Sequence, residues 1–293
     1  MWGTPDGQRW VDPPHAPCRV VIVGNTKGGV GKTVFSFNLA DCLARSGLRV
    51  LVVDLDLQCG QLAFLHQPPP DADHDAGAVI GGRCDIDDAV HHLGHNLDIL
   101  PANEFSLAFL SRRLDQETNL VRAREAIDRT FDTMRGRWDV TIVDTGGYQS
   151  HLLALAMSAA DGVIVPIVPE AGPVAELPTV LNMLSASASA SAWGPQRSRV
   201  LGIARTRVWG NAIYRRVAED HIREIADARD IRVYRNKVPE DAKFGEAHLL
   251  GLAVNAHEPR ARSAIAYRYL ADELARTHGW GSLPSPSGQV AYA

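Results

Sequence analysis

Residues 20–33 read Val-Val-Ile-Val-Gly-Asn-Thr-Lys-Gly-Gly-Val-Gly-Lys-Thr, and this stretch decides the fold. Four β-favouring apolar residues lead into a glycine-rich turn, and a helical pattern of apolar residues follows at once. Glycines let consecutive backbone N–H groups converge on anionic oxygens, and a helix N-terminus adds a partial positive charge. The stretch therefore predicts a phosphate-binding loop between a strand and a helix.

Two side chains of this loop have a predicted chemistry. Lys32 would reach the β- and γ-phosphates of a nucleotide, and the Thr33 hydroxyl would ligate Mg²⁺. Where the usual G-x-x-x-x-G-K-T pattern begins with glycine, this chain has Thr26, and a second lysine, Lys27, follows it. The alternative interpretation is an ordinary surface turn between a core strand and a core helix.

The string Lys27-Gly-Gly-Val-Gly-Lys-Thr33 resembles the deviant Walker A motif of the ParA/MinD family of dimerising ATPases. The resemblance implies ATP and Mg²⁺ as cofactors, and a homodimer on ATP binding in which Lys27 reaches the partner's nucleotide. An extra cation has a physical reason there, because the phosphate charges of two facing nucleotides repel each other. We expect Lys27 and Lys32 to be catalytic, and the nucleotide to be bound by Gly28, Gly29, Val30, Gly31, Lys32, Thr33 and Val34.

Composition limits the class of protein. The chain has 293 residues, 45% hydrophobic and 22% charged, which is typical of a globular protein with a sizeable core. Its net charge of -4 argues against wholesale nucleic-acid binding, so any DNA-binding surface must be local. The four cysteines lack C-x-x-C spacing, which argues against a zinc site or a disulfide framework. No apolar run approaches ~18 residues and the N-terminus is unlike a signal peptide, so we expect a cytoplasmic protein without membrane insertion.

The chain divides by composition into three parts. We predict a flexible N-terminal arm at 1–17, one ATPase domain at 18–278, and a flexible C-terminal tail at 279–293. Residues 66–78 are polar and proline-rich, which predicts a loop. The Ser-Ala repeat at 185–192 could extend the preceding helix or form a flexible tether, and both interpretations stay open.

Two further apolar segments end in carboxylates. The first ends in Asp54 and Asp56, and the second ends in Asp144. The carboxyl ends of parallel strands meet at one edge of a sheet, where α/β folds bind ligands. The sequence therefore predicts that these acids lie near the phosphate-binding loop.

These acidic segments extend the family resemblance. Asp54-Leu-Asp-Leu-Gln-Cys-Gly60 is similar to the D-x-D-P-Q-G segment, which implies that Asp56 orients or activates the attacking water. The match also implies that Asp54 supports the metal shell and that Asp144, in a Walker B-like strand, holds Mg²⁺ through water together with Thr33. This chain departs from the family at Leu57, and it has Gly146-Gly147 where the family commonly has prolines or Pro-Ala.

A late segment resembles the part of these ATPases that packs on adenine. Val238-Pro-Glu-Asp-Ala-Lys-Phe-Gly-Glu-Ala247 carries the match. It implies that the backbone of Pro239 and Glu240 reads the base, so that ATP is favoured over GTP. We also expect Arg207, which follows an apolar segment at 200–204, to contribute to the nucleotide site.

Strand-like segments alternate with helical segments along the chain. This alternation predicts a single α/β domain with a mostly parallel twisted β-sheet flanked by helices on both faces, the P-loop NTPase fold.

The resemblance implies a role in DNA partition. ATP would lock a sandwich dimer with non-specific DNA affinity, and a ParB-like adaptor would stimulate slow hydrolysis during partition of plasmid or chromosomal DNA. Such a protein would be nucleoid-associated, and non-specific affinity needs phosphate-directed cations on one face. Candidate DNA-binding residues are Arg215, Arg216, Lys243, Arg260, Arg262 and Arg268.

Two alternatives stay open. One is a MinD-like ATPase at a membrane surface, which would need a basic amphipathic C-terminal helix that 279–288 does not provide. The other is a pilus- or organelle-positioning ATPase without strong DNA binding, which the string at 54–58 slightly favours. Histidines at 91, 92 and 95 lack the spacing of a metal site, so we expect them to be solvated.

Overall fold

The computed structural model describes residues 18–61, 65–116, 120–147, 151–189, 198–210, 213–281 and 283. The predicted N-terminal arm at 1–17 lies outside the described residues. The end of the Ser-Ala repeat, 190–192, and most of the predicted C-terminal tail also lie outside them.

Strands and helices alternate through the described residues. The strands are β1 (Val20–Val23), β2 (Val50–Leu55), β3 (His91–Gly94), β4 (Leu97–Leu100), β5 (Val140–Thr145), β6 (Gly162–Ile167) and β7 (Val200–Arg205). The helices are α1 (Lys32–Arg45), α2 (Ala76–Ile80), α3 (Ile86–Ala89), α4 (Glu104–Asp115), α5 (Leu120–Arg137), α6 (His151–Ala159), α7 (Ala171–Ser189), α8 (Ile213–Asp227), α9 (Lys243–Leu249), α10 (Val254–His257) and α11 (Arg262–His278).

The strands form one sheet in the order β3-β4-β2-β5-β1-β6-β7. Every neighbouring pair is parallel except β3 and β4, which are antiparallel. The predicted single α/β domain with a mostly parallel sheet is therefore confirmed. The central position of β1 places the phosphate-binding loop between the carboxyl ends of β5 and β6.

Both faces of the sheet are covered by helices. In β1, Val21 and Val23 pack into a core that also contains residues of α1 and α11. Val20 and Ile22 point to the other face, into a core formed with helices α2 to α8. All four side chains are fully buried, which explains why the strand reads as a continuous apolar run rather than an alternating one.

Several elements differ from the sequence interpretation or refine it. The segment with His91 and His92 forms the exposed edge strand β3, and the His92 ring lies 2.7 Å from Asp98 Oδ1. Helix α7 runs through Ser189, so the first part of the Ser-Ala repeat extends a helix. Helix α4 was not predicted.

The described residues contain no cluster of three or more His, Cys, Asp or Glu side chains arranged to hold a metal ion. All four cysteines are free thiols. Among the helices of the described chain, none has the length and apolar character needed to cross a bilayer.

We predict that Gly202→Ala destabilises the fold. A Cβ atom at Gly202 in β7 would lie 2.8 Å from Tyr234 Cζ and 3.0 Å from the Arg232 carbonyl oxygen. The Tyr234 ring cannot easily move, because it is fully buried and its hydroxyl lies 2.8 Å from His278 Nε2. The free energy of unfolding should fall by about 1–3 kcal/mol in chemical denaturation.

Gly136→Ala is the matched control for this prediction. Gly136 lies in α5, and a Cβ atom there would meet no atom within 4 Å. The higher helix propensity of alanine should raise stability by up to about 1 kcal/mol. Equal effects of the two substitutions would contradict the packing described for β7.

Candidate functional site

The phosphate-binding loop has the backbone that its sequence predicts. Gly29 and Gly31 have φ angles of +76° and +82°, in the left-handed region that glycine adopts without strain. The first hydrogen bond of helix α1 runs from the Phe35 N–H to the Gly31 carbonyl oxygen at 2.8 Å. The N-cap residue of α1 is therefore a glycine, which has no side chain to satisfy the first amides of the helix. An anion at this position would satisfy them.

Lys32 is a buried cation inside this loop, with only 7% of its surface exposed. Its Nζ donates to the Lys27 carbonyl oxygen at 3.0 Å. Burial lowers the pKa of Lys32, and the negative charges of Asp144 and Asp56 oppose this shift. A buried charge needs compensation, and the phosphates of a nucleotide would supply it.

Lys27 has a different environment from Lys32. Its Nζ pairs with Glu176 Oε1 on α7 at 2.6 Å, and about a third of the Lys27 side chain is exposed. The Lys27 backbone N–H donates to Asn25 Oδ1 at 2.9 Å, which fixes the backbone below the side chain. The two lysines of the loop therefore have separate roles: one is buried in the loop and the other lies at the surface.

Asp54 organises the segment that follows β2. It is fully buried, and its two oxygens accept the backbone N–H groups of Asp56 at 2.9 Å and Gln61 at 3.0 Å. Burial raises the pKa of Asp54 well above its usual range, and the charge of Asp144 raises it further. Both oxygens are engaged by backbone amides, so this carboxylate would support a metal shell by positioning neighbours.

Asp144 lies beside Asp54, because the β2–β5 register pairs these two residues directly. Its oxygens accept hydrogen bonds from Ser36 Oγ at 3.0 Å and Gln61 Nε2 at 2.9 Å. Burial raises the pKa of Asp144 to about 6, and hydrogen bonds from Thr33, Gln61 and Ser36 oppose that shift. The predicted meeting of Thr33 and Asp144 is present in the structure.

The Gly146-Gly147 pair, where the chain departs from the family pattern, is required by close packing. A Cβ atom at Gly146 would lie 2.7 Å from Asp56 Oδ1, and one at Gly147 would lie 2.8 Å from the Thr26 carbonyl oxygen. Neither position accepts a larger residue unless these neighbours shift. The segment after β5 therefore touches both the phosphate-binding loop and Asp56.

These residues fit Mg²⁺ and a nucleotide. The available donors are hard oxygens, and Mg²⁺ is usually held by one or two carboxylates, waters and phosphates rather than by an all-protein cage. Thr33 and Asp144 would provide the protein side of such a shell. Gln61 Oε1 is buried beside them and has no hydrogen-bond partner among the described residues, so it could accept a hydrogen bond from a metal-bound water.

The predicted base-recognition segment lies against the same loop. Val208 pairs with Pro239 in a parallel bridge, and the Glu240 N–H donates to the Val208 carbonyl oxygen at 2.9 Å. The Arg207 guanidinium donates to the Gly29 carbonyl oxygen at 3.4 Å and to Glu240 Oε1 at 3.2 Å. The structure thus brings Arg207, Pro239 and Glu240 together at the phosphate-binding loop.

The six candidate DNA-binding cations have different environments in the structure. The expectation that Arg215 lies on a DNA-binding surface is corrected, because this side chain is buried. Its guanidinium stacks 3.6 Å from the Trp209 ring centroid and donates to the Trp209 carbonyl oxygen. Arg268 is half-buried and donates to Asn255 Oδ1 and the Pro259 carbonyl oxygen. Lys243 pairs with Glu246 at 2.7 Å. The exposed candidates are Arg216, Arg260 and Arg262.

Four contributors to the site were not predicted from the sequence: Ser36, Gln61, Glu176 and Thr206. Ser36 stands one helical turn after Thr33, and Gln61 closes the polar segment that follows Asp54, so both had a local signal. Thr206 Oγ1 donates to the Val30 carbonyl oxygen at 3.1 Å. Glu176 is 149 positions from Lys27, and no pattern in the sequence connects the two residues.

The fold and this loop define a phosphate-loop nucleotide-binding protein, and comparisons with known proteins agree. Residues 18–189 match the family model described as an AAA domain. The chain is 31% identical over 265 residues to the chromosome-partitioning ATPase Soj of Thermus thermophilus, covering 89% of this chain and 96% of that protein.

Other relatives have different names. The antiactivator FleN of Pseudomonas aeruginosa is 25% identical over 279 residues, covering 94% of this chain and 92% of that protein. A McdA–ATP complex from Cyanothece shares the fold, with a TM-score of 0.77 and 17% identity over 92% of this chain and all of that one. The chain belongs to the ParA/MinD family of P-loop ATPases.

We predict that Lys32→Ala removes most of the affinity for ATP. The substitution deletes the buried ammonium, and loss of a charge-assisted contact of this kind should weaken binding by roughly 100-fold or more. Isothermal titration with ATP and Mg²⁺ measures the change. Lys237→Ala is the control, because Lys237 pairs with Glu219 at 2.8 Å outside the loop. ATP affinity within a few-fold of wild type in Lys32→Ala would refute the assignment of the loop.

Proposed function

We propose that this chain binds and hydrolyses ATP with Mg²⁺ and forms a nucleotide sandwich dimer with non-specific DNA affinity. A ParB-like adaptor would stimulate hydrolysis, and the cycle would partition plasmid or chromosomal DNA. The observation that carries the proposal is the pair of lysines in one loop, Lys32 buried and Lys27 directed to the surface. The name of the Thermus thermophilus relative supports the partition role.

Hydrolysis in this proposal depends on positioning and charge stabilisation. Lys32 offsets phosphate charge, and Asp56 orients the attacking water from a segment that Asp54 fixes through two backbone amides. The Asp56 Oδ1 atom accepts the Gln58 N–H at 3.0 Å, which sets the direction of its carboxylate. Mg²⁺ would supply further charge neutralisation, and Thr33 and Asp144 are the residues that would hold it.

The Lys27–Glu176 ion pair is the contact that would have to break when the dimer forms. Within one chain Lys27 is held by Glu176, so it must leave this partner to reach a nucleotide in a second chain. The pair is part-exposed, and such ion pairs contribute about 0–1 kcal/mol, so its loss would cost little against a new phosphate contact. Hydrolysis would then be slow in the monomer, because the second lysine acts only across the dimer.

We assign the DNA-facing surface to the exposed candidates Arg260 and Arg262, because Arg216 lies on α8, which packs on the other face of the sheet. Arg262 donates to the Glu240 carbonyl oxygen and lies 3.7 Å from Asp241, so it is attached to the segment that reaches the nucleotide site. A DNA surface in this place could respond to the nucleotide through Arg207 and Glu240.

A second group of cations lies elsewhere and provides a matched comparison. Arg232 and Arg235 are exposed and line a surface cleft of about 520 Å³ together with Arg223 and Lys237. Lys237 and Arg223 pair with Glu219 in this cleft. Arg232 and Arg235 follow α8, and within the described residues neither side chain forms an ion pair with the base-recognition segment.

The alternative function is a positioning ATPase of the pilus, organelle or membrane type without strong DNA binding. The FleN and McdA relatives keep this alternative open, because neither is named as a partition protein. DNA binding that depends on ATP separates the two functions.

We predict that Lys27→Ala stays monomeric with ATP, whereas Glu176→Gln dimerises at a lower ATP concentration, by about two- to fivefold. Size-exclusion chromatography with light scattering measures the mass. Both variants are compared in an Asp56→Ala background, which should retain ATP and accumulate as a dimer because the water is no longer oriented. A full dimer in the Lys27→Ala protein would remove the trans-acting lysine from the proposal.

We predict that Arg260→Ala/Arg262→Ala weakens ATP-dependent DNA co-sedimentation and reduces the salt dependence of binding by about two units of log–log slope. Arg232→Ala/Arg235→Ala removes the same charge from another surface and should bind DNA as the wild type does. Equal losses in both variants would contradict the assigned surface. Absence of DNA binding by the wild type, with ATPase activity intact, would favour the positioning alternative.

A further inference from the structure

A surface groove lies between helices α4 and α5, apart from the nucleotide site. We call it the α4–α5 groove, and it encloses a cavity of about 460 Å³. The end of α2 and the two helices supply its apolar floor, formed mainly by Val79, Ile80, Leu110, Leu114, Ala123 and Ile127. No residue of the phosphate-binding loop, and none of the three acids at the strand ends, lines it.

Apolar surface continues from the groove along α4. Phe109 is 55% exposed, and its ring lies 5.8 Å from the Arg83 guanidinium at the edge of the groove. Phe105, one turn earlier on the helix, is 78% exposed. Exposed aromatic side chains next to an apolar cavity are typical of surfaces that bind other proteins.

The rim of the groove is cationic. Arg113 on α4 and Arg122 and Arg129 on α5 line it, and the last two lie seven positions apart on one face of their helix. Within the described part of the chain, the guanidinium groups of Arg113 and Arg129 make no hydrogen bond and no ion pair.

The other arginines of α5 differ from those at the rim. Arg124 pairs with Asp128 at 3.4 Å, Arg135 pairs with Asp161 at 2.8 Å, and Arg137 pairs with Asp87. Helix α5 therefore pairs these three arginines with carboxylates, whereas Arg129 at the groove has none among the described residues. Because arginine forms bidentate contacts with carboxylates, a ligand that complements Arg113 and Arg129 would be acidic.

We propose that the α4–α5 groove binds an acidic amphipathic segment of a partner protein. Apolar side chains of that segment would enter the cavity, and its Asp or Glu side chains would pair with Arg113 and Arg129, as in helix-in-groove recognition. The apolar surface extends beyond the cavity to Phe109, which fits an extended segment better than a compact small molecule. The chain has a net charge of -4, so its surface on average repels an acidic partner, whereas the cationic rim attracts it locally.

The test uses the full chain and a phage-displayed library of random 16-residue peptides. Selection should enrich peptides that combine Asp and Glu with Leu, Phe or Met at helical spacing. Enriched peptides are then synthesised with a fluorophore, and their affinities are measured by fluorescence anisotropy against four proteins. These are the wild type, Arg113→Glu/Arg129→Glu, Ala126→Phe, and the control Arg112→Glu/Arg232→Glu.

Each variant addresses one element of the groove. The charge-reversed rim should weaken peptide binding by about tenfold or more. Ala126 lines the cavity, so phenylalanine there should fill it and weaken binding without changing charge. The control changes the same number of charges on exposed arginines outside the cavity lining, one of them adjacent to Arg113, and should bind as the wild type does.

Loss of affinity in both groove variants, with the control unchanged, supports the proposal. Circular dichroism melting and ATP binding, which should stay at wild-type levels, confirm that each variant is folded. The proposal is overturned if selection enriches no peptide or only peptides without acidic residues. It is also overturned if the rim variant binds the enriched peptides as the wild type does, or if rim and control variants lose affinity equally.

Discussion

A buried ammonium beside two buried carboxylates is the constraint on which the rest of the structure depends. The parallel register of β2 and β5 places Asp54 directly opposite Asp144, and burial raises the pKa of both acids. Like charges at this distance destabilise each other unless hydrogen bonds and a cation compensate. Backbone amides compensate Asp54, and the Gln61 side chain and the charge of Lys32 compensate Asp144. These contacts hold the loops at the sheet edge in place.

The same constraint connects the loops to one another. Gln61 bonds to Asp144 through its side chain and to Asp54 through its backbone, so the segment after β2 is tied to the strand β5. The glycine pair after β5 in turn packs against Asp56 and the Thr26 carbonyl oxygen. Movement of one loop would therefore displace the others, and a nucleotide-dependent switch requires such coupling.

Much of this site could be predicted because its signals are local in the chain. Short sequence patterns that usually adopt one structure predict the loop, the strands that end in Asp54 and Asp144, and the parallel sheet. Glu176 could not be predicted, since its contact with Lys27 depends on how α7 packs against the loop. The burial of Arg215 had a signal that sequence reasoning missed, because Arg215 lies at helical spacing with the buried Ala218 and Ile222 of α8. The Trp209 ring then covers its guanidinium. The α4–α5 groove depends on tertiary packing in the same way.

One domain carries two surfaces: a nucleotide edge built on buried charge, and a groove rimmed by Arg113 and Arg129. The proposed cycle depends most on the trans-acting role of Lys27. The most direct measurement is a crystal structure of the full chain with Mg²⁺ and a slowly hydrolysed ATP analogue. We expect a two-fold dimer in which Lys27 has left Glu176 and its Nζ lies about 3 Å from a phosphate oxygen bound to the partner subunit. A nucleotide-bound dimer in which Lys27 still pairs with Glu176, with no phosphate in contact, would contradict the claim.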